Sequence, residues 1–366
     1  MTQDPGLASW LQLTLTPGLG AATIRALLGR FGLPANVLGA GRAELARHAS
    51  PEALAALDSE AVARAVEHAL TWLEQPGCAV VTLADATYPR LLLEIPDPPT
   101  LLYCRGRVEL LNQPALAVVG SRNASAQGAA NAEQFARSFS DAGLTIVSGL
   151  AQGIDAAAHR GGLAGAASTI AALGTGVDVV YPPAHAALAA QIAERGLLVS
   201  EFPLGARALA HHFPRRNRLI SGLAQGCLVI EAAIASGSLI TARAAAEQGR
   251  EVFAVPGSIH SPLAKGCHAL IKSGAKLAES AEDVLTELAA FRRTGFASTR
   301  AAPAAPGAGE APGEPLLECM GFDPVDVDSL CARAGLPAER VSAELLRLEL
   351  AGRIAALPGG RYQRLN

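Results

Sequence analysis

From residue 115 to 280 the chain repeats one pattern, a short apolar run of strand-forming residues followed by a stretch of helical period. The runs are ALAVVG (115–120), LTIVSG (144–149), STIAALG (168–174), LLVSE (197–201), CLVIEA (227–232), EVFAVPG (251–257) and AKLAES (275–280). Helical segments such as QGAANAEQFARSFSDAG and SLITARAAAEQG lie between most of them. Short apolar strands joined by helices demand parallel crossovers and a sheet covered on both faces. The pattern predicts an α/β fold with a Rossmann-like, doubly wound, mostly parallel sheet. With 50% apolar and only 17% charged residues over 366 positions, the chain can bury such a core and leave room for further domains.

The flanks read differently. Residues 1–80 carry short amphipathic helices (LASWLQLTL, AATIRALLGRF, AVARAVEHALTWL) broken by Gly and Pro, a small N-terminal helical domain of SAM-like or helix-hairpin-helix-like type. Residues 81–293 form the central domain, and its first part, 81–110, is proline-rich and reads as an extended connector. An Ala/Pro/Gly-rich stretch over 294–314 predicts a flexible linker. The tail, 315–366, has three helical segments and then two short runs around Pro358-Gly359-Gly360, the order of a winged helix. No basic-then-apolar leader opens the chain, and no apolar run approaches the roughly 18 residues of a membrane span, so the expected location is cytoplasmic. Six cysteines without a C-x-x-C pair predict neither a zinc ribbon nor a disulfide scaffold.

Net charge is −3, which excludes a uniformly basic nucleic-acid binder. The distribution is more informative. No acid occurs between Glu201 and Glu231, where Arg207, Arg215, Arg216 and Arg218 lie; none occurs between Glu251 and Glu279, which holds Lys265, Lys272 and Lys276. A third window, between Glu109 and Glu133, holds Arg122. If the fold brings these windows together they create a local positive field.

In an open parallel sheet, ligands bind beyond the carboxyl ends of the strands. The loops leaving those ends (GSRNAS, SGLAQGIDAAAH, GTGVDVVYP, EFPLGA, EAAIASGS, PGSIHSPLAKG) are rich in Gly and Ser and lead into helix starts. Such loops offer backbone N–H groups to phosphate, or are plain turns. None matches a dinucleotide fingerprint or a P-loop, so no cofactor is expected. In HHFPRRNRLISG (211–222), Arg215, Arg216, Asn217 and Arg218 sit beside Phe213, a combination suited to phosphate oxygens and a stacked base. His211-His212 has no Cys/His company and is not expected to bind metal. Glu231 and Asp155 follow strands and read as helix caps or arginine partners rather than catalytic acids.

Taken together, GSR (120–122), SGLAQGIDAAAH (148–159), TIAALGTGVDVVYPPAH (169–185), SEFPLG (200–205), FPRRNRLISGL (213–223), EAAIASGSLITARAAAEQGREVFAVPG (231–257) and KGCHALIKSGA (265–275) resemble the DNA-processing protein A family (DprA, also called Smf). The resemblance implies a non-enzymatic, homodimeric, single-stranded DNA-binding protein of natural transformation that protects incoming DNA and helps load RecA recombinase. It places the DNA site at Gly120, Ser121, Arg122, Ser148, Gly149, Leu150, Ala151, Gly153, Phe213, Arg215, Arg216, Asn217, Arg218, Gly237, Ser238 and Lys265, with no catalytic or metal-binding residue. The amphipathic stretch 281–291 is the candidate dimer surface. The accessory domains offer double-stranded DNA as a further partner: the turn in LTPGLGAATIRALL through its amides, the tail through Arg353, Arg361 and Arg364. The presumed recognition helix (338–350), with Glu339, Glu344 and Glu349 against Arg340 and Arg347, favours protein contact or weak DNA binding. Two other readings stay open, a nucleotide-hydrolysing enzyme of the lysine-decarboxylase-like class and a winged-helix transcriptional regulator.

Overall fold

The computed structural model describes residues 5–295 and 315–365. Six helices come first: α1 (Pro5–Leu15), α2 (Ala21–Phe31), α3 (Pro34–Gly39), α4 (Arg42–Leu45), α5 (Pro51–Leu57) and α6 (Glu60–Leu73). Then follow β1 (Cys78–Thr82), α7 (Arg90–Leu93), β2 (Leu101–Gly106), β3 (Ala115–Gly120), α8 (Ala126–Asp141), β4 (Thr145–Ser148), α9 (Ile154–Ala164), β5 (Thr169–Ala172), α10 (Ala186–Arg195) and β6 (Leu197–Ser200). The chain continues through α11 (His212–Gly222), β7 (Gly226–Ile230), α12 (Ser238–Glu247), β8 (Glu251–Ala254), α13 (Lys265–Lys272), β9 (Lys276–Leu277) and α14 (Ala281–Gly295).

These strands form one nine-stranded sheet, ordered β1-β2-β6-β5-β4-β3-β7-β8-β9. All seven strands anticipated between 115 and 280 are present, and they pair in parallel, with Ala117 of β3 beside Val147 of β4 and Cys227 of β7. The path runs outward from β3 to β6, then returns to the other side of β3 with β7. The switch point, where two neighbouring crossovers leave on opposite faces and open a crevice, therefore lies between β3 and β7.

One sheet face buries Ala117, Val119, Cys227 and Val229 against Leu219 and Ile220 of α11 and Leu239 of α12. The opposite face buries Leu116, Val118, Leu228 and Ile230 against Phe139 of α8 and Ile154 of α9. Small residues let α9 sit close: a Cβ at Gly161 would overlap the Glu133 carbonyl, and one at Gly162 would crowd Ile146 and Thr169. Gly161 thus lets α9 press onto α8, and Gly162 lets it press onto the sheet.

Three expectations need correction. The proline-rich stretch 81–110 is more than a connector, because it holds β2, which pairs antiparallel with both β1 and β6 and extends the sheet. The boundary at residue 80 runs through β1, and the N-terminal helices are not a free-standing unit. They have a core of their own around Leu13, Ile24, Leu27 and Leu54, but Trp10, Leu11 and Trp72 pack on the sheet with Leu101 and Tyr103. The stretch 281–291 begins α14, whose Val284 and Leu288 are buried against Phe253 and Ala278, so its apolar side is used within the chain rather than left for a second copy. From residue 296 on, the expected linker lies outside the described residues.

The tail forms α15 (Pro315–Met320), β10 (Val325–Asp326), α16 (Val327–Ala334), α17 (Ala338–Leu350), β11 (Ile354–Leu357) and β12 (Arg361–Arg364), the arrangement of a winged helix. Gly359 and Gly360, with φ of 83° and 67°, make the turn of its hairpin, a conformation glycine adopts without steric cost. Val341, Leu345 and Leu348 of α17 face the small core, and Arg347 pairs with Glu344. Arg364 lies 4.8 Å over the Phe322 ring and donates to the Leu317 carbonyl. Gln127 of α8 donates to the Leu365 carbonyl at 3.2 Å, tying this domain to the central one. Among the described residues, no helix is long and apolar enough to cross a membrane.

Tyr103 sits where the N-terminal helices meet the sheet, its ring edge-on to Trp72 at 6.1 Å. It is fully buried and its hydroxyl has no hydrogen-bond partner. Tyr103→Phe removes an unpaired polar group while keeping the ring, and should raise stability by about 1 kcal/mol. A urea unfolding midpoint that falls in this variant would contradict the packing described.

Candidate nucleic-acid interface

A cavity of about 650 Å³ opens at the carboxyl ends of β3 and β7, beside the switch point. Gly120, Ser121, Arg122 and Asn123 line one wall, Phe213, Arg216 and Asn217 of α11 another, and Ser236, Gly237, Ser238 and Ile240 a third. The glycines are there to let backbone pass. A Cβ at Gly120 would overlap the Ile230 carbonyl, and one at Gly153, whose φ is 74°, would overlap the carbonyls of Ser121 and Arg122. The GSR loop thus lies directly on the start of α9, with Ile154 N–H donating to the Ser121 carbonyl at 3.1 Å.

Under this wall lies a buried ionic system. Arg216 is only 3% exposed. Its Nη1 donates to the carbonyls of Gly149 and Ala172, each at 2.5 Å, and its Nε to Asn217 Oδ1 at 3.2 Å. Asp155 accepts from the amides of Gly149 (3.1 Å) and Ala151 (3.3 Å). Burial lowers the Arg216 pKa to about 10 and raises that of Asp155, while each charge pulls the other back. Arg216 remains a cation at neutral pH, but it braces two strand exits instead of facing solvent. Ser148, Gly149 and Leu150 accordingly lie buried beneath the cavity wall and not in it, whereas Arg216 lines the cavity but directs its hydrogen bonds inward.

The turn after β4 was expected to offer free amides, and most are spent internally. Leu150, with φ of 58°, is fixed from both sides: its N–H reaches His159 Nε2 at 3.2 Å and its carbonyl meets His185 Nδ1 at 2.9 Å. Thr169 Oγ1 donates to the Ile146 carbonyl, so His159 Nδ1 must be the donor in its 2.8 Å contact with Thr169. His159 is therefore the neutral Nδ1–H tautomer, and burial pushes its pKa down to about 3.

Arg215 and Arg218 have an acidic partner that sequence proximity did not reveal. Both meet Glu201 Oε2, at 2.8 and 2.5 Å, and the Glu201 side chain is almost wholly buried. Arg218 also meets Asp97, which leaves it little freedom to reach a ligand. Arg215 keeps about half its surface exposed and lies over Phe202 at 5.5 Å. Lys265 is exposed at the start of α13, two residues after the cavity-lining Leu263, but does not itself line the cavity. Lys276, from the same window, is held by Glu251 and Glu287 at the far edge of the sheet and does not converge on the rest.

What the cavity presents outward is Arg122. It is exposed and, among the described residues, has no ion-pair partner; its guanidinium lies 5.6 Å from the centre of the Phe213 ring. Phe213 is held between Arg122 and Arg216, and the absence of a side chain at Gly174 makes room for its ring. Tyr181 lies 5.7 Å from Phe213 and is 47% exposed. It went unnoticed in the sequence because VVYPP reads as a strand exit rather than as half of an aromatic pair. Ser121 and Ser238 are mostly buried in the wall, and Gly237 is exposed at the start of α12. On the far side of the wall, the Glu231 carboxylate accepts from Ser125 N–H at 2.8 Å and from the Ser125 hydroxyl, capping α8 as anticipated. Its φ of 53° is a left-handed conformation that costs a β-carbon-bearing residue about 1–2 kcal/mol.

Residues 79–289 match the family model for DNA recombination-mediator protein A, and residues 300–360 match that for the DprA winged helix domain. Protein Smf of Escherichia coli is 45% identical over 309 residues, covering 82% of this chain and 81% of that protein. The DNA processing protein DprA of Streptococcus pneumoniae is 50% identical over 206 residues, 56% of this chain and 73% of that protein. The crystal structure of DprA from Streptococcus pneumoniae superposes with a TM-score of 0.65 at 38% identity, over 78% of this chain and 99% of that one. A Helicobacter pylori DNA processing protein A, described for its single-stranded DNA binding mode, gives 0.53 at 28% identity, over 58% and 96%.

Two outcomes are expected from the buried system. Arg216→Ala leaves the buried carbonyls of Gly149 and Ala172 without their donor and should cost about 3 kcal/mol of stability; an unchanged denaturation midpoint would show that Arg216 is not a brace. His159 has a folded pKa near 3 against 6.5 for the free side chain. Its contribution should be complete above pH 6.5 and decline as pH falls toward 3, because the unfolded chain takes up a proton that the folded chain refuses. Stability measured between pH 7 and about 4 should therefore fall less steeply in His159→Gln than in the native chain; equal slopes would contradict this assignment.

Proposed function

This chain belongs to the DNA recombination-mediator protein A family, and we propose that it binds single-stranded DNA in the cavity between Arg122, Phe213 and Gly237. In this reading it acts without catalysis in the cytoplasm, as a homodimer, protecting strands taken up in natural transformation and delivering them to RecA recombinase. The observation that carries the reading is the Arg122–Phe213 pair. An exposed guanidinium without an acidic partner lies beside an aromatic ring at the mouth of a cleft. A guanidinium binds phosphate as a bidentate fork, and a ring accepts any base on its face. The single-stranded DNA binding named for the Helicobacter pylori relative supports the same assignment.

The site residues divide by task in this proposal. Arg122 contacts phosphate, Phe213 and Tyr181 stack bases, and Asn217, Gly237 and Ser238 shape the wall. Ser148, Gly149, Leu150, Ala151, Gly153 and Arg216 hold the platform, while Arg215 and Lys265 supply positive potential at the margins. The nucleotide-hydrolysing alternative loses support, because the start of α8, the natural seat for a nucleotide phosphate, already holds a carboxylate. The regulator alternative is not favoured either: α17 carries three acids against two arginines and one of those arginines is paired with Glu344.

Binding should weaken as salt rises, since phosphate contacts release counterions. Arg122→Ala should reduce affinity for an oligothymidylate and lower the log–log salt slope by about 0.7. Tyr181→Ala should cost about 1–3 kcal/mol of binding, largely restored by Tyr181→Phe, because stacking needs the ring and not the hydroxyl. Unchanged titrations for both Arg122→Ala and Tyr181→Ala would remove the proposed interface.

A further inference from the structure

A Rossmann-like switch point normally offers the amino end of its first crossover helix to a phosphate, because unpaired N–H groups and the helix dipole converge there. Here that helix is α8, whose cap residue is Ser125. The seat is filled from within. Glu231, the first residue after β7, turns back across the switch point and places its carboxylate on Ser125, with Oε2 on the N–H at 2.8 Å and Oε1 on the hydroxyl. Its own carbonyl accepts from Ser121 N–H at 2.7 Å, so backbone and side chain together bridge the ends of β3 and β7.

Two further features show that the local sequence is fitted to this carboxylate. Glu231 has the left-handed φ of 53°, unfavourable for a residue with a β-carbon and kept only where surrounding bonds impose it. Gly128 lies in the first turn of α8, where glycine weakens a helix, and a Cβ there would overlap the Glu231 carboxyl group. Ser125 completes the arrangement by using its hydroxyl twice, donating to Glu231 and accepting from Gly128 N–H at 2.9 Å.

We propose that Glu231 is a selectivity residue: it occupies the mononucleotide phosphate seat of the fold with an internal anion, so that free nucleotides and pyrophosphate are excluded. Small anions are thereby turned away from the α8 side of the wall, which leaves the cavity lined by Arg122 and Phe213 on the other side as the place where phosphate is held. The selectivity role rests on the proposed single-strand site, whereas the occupied seat rests only on the contacts just described.

The test measures binding of inorganic pyrophosphate and adenosine 5′-monophosphate by calorimetry, in the full chain. The native chain should bind neither. Glu231→Gly, which removes the carboxylate and suits the left-handed backbone, should bind pyrophosphate measurably, with an affinity at least about tenfold above the detection limit at which the native chain shows none. Glu231→Gln, whose amide oxygen still accepts from Ser125 N–H, should keep the seat closed. Glu231→Asp, shorter by one methylene and more conservative for the fold, should show a smaller gain, and it decides the matter if the glycine variant does not fold. Pyrophosphate binding by the native chain, or no gain in a folded Glu231→Gly or Glu231→Asp variant, overturns the proposal. Gain of pyrophosphate binding in a protein that does not bind single-stranded DNA would retain the filled seat but refute the function proposed above.

Discussion

Arg216 and Asp155 are two buried charges that feel each other's field, and each spends its hydrogen bonds on the backbone of the turn between them. The arginine, from α11, gathers the carbonyls of Gly149 and Ala172 at the exits of β4 and β5. The aspartate, from α9, gathers the amides of Gly149 and Ala151. Two charges removed from water are tolerable only when almost every donor and acceptor is matched, and that requirement is what makes the turn rigid. A side chain at Gly149 would overlap the guanidinium, and Leu150 keeps its left-handed conformation between two histidines. Phe213 lies three residues before Arg216 on the same helix, so bracing the arginine also fixes the ring at the mouth of the cavity.

Within one helix start, neighbouring arginines thus serve different ends. Arg216 is a brace, Arg218 is locked to Glu201 and Asp97, and Arg215 shares Glu201 but keeps a face in solvent. The cation left to meet a ligand comes from another loop: Arg122, on the glycine-framed turn after β3, lies over Phe213. A rigid floor carrying an exposed cation and a fixed ring suits a ligand recognised by backbone charge and base faces rather than by base identity.

The parallel part of the sheet was legible because each strand is a continuous apolar run and each crossover has helical period. The antiparallel edge was not. LLYCRG follows a cluster of prolines that reads as connector, which separates it from β1, and its other partner, β6, comes four strands later in the chain. The packing of Trp10 and Trp72 on Tyr103 is hidden for the same reason, and so is the burial of the apolar side of α14. At the site, glycines and arginines could be picked out, but not which amides and cations stay free. That depends on Asp155, Glu201 and Glu231, acids whose targets are set by the fold. Glu231 was recognisable as a helix cap, yet only three dimensions show which helix it caps.

The most direct measurement of the central claim is photo-crosslinking of a single strand carrying 5-iodouracil, followed by mass spectrometry of the crosslinked peptides. Crosslinks are expected at Phe213 and Tyr181, reduced when Arg122 is replaced by alanine. Crosslinks confined to the winged helix, or to the β9 edge of the sheet, with none at either ring, would contradict it.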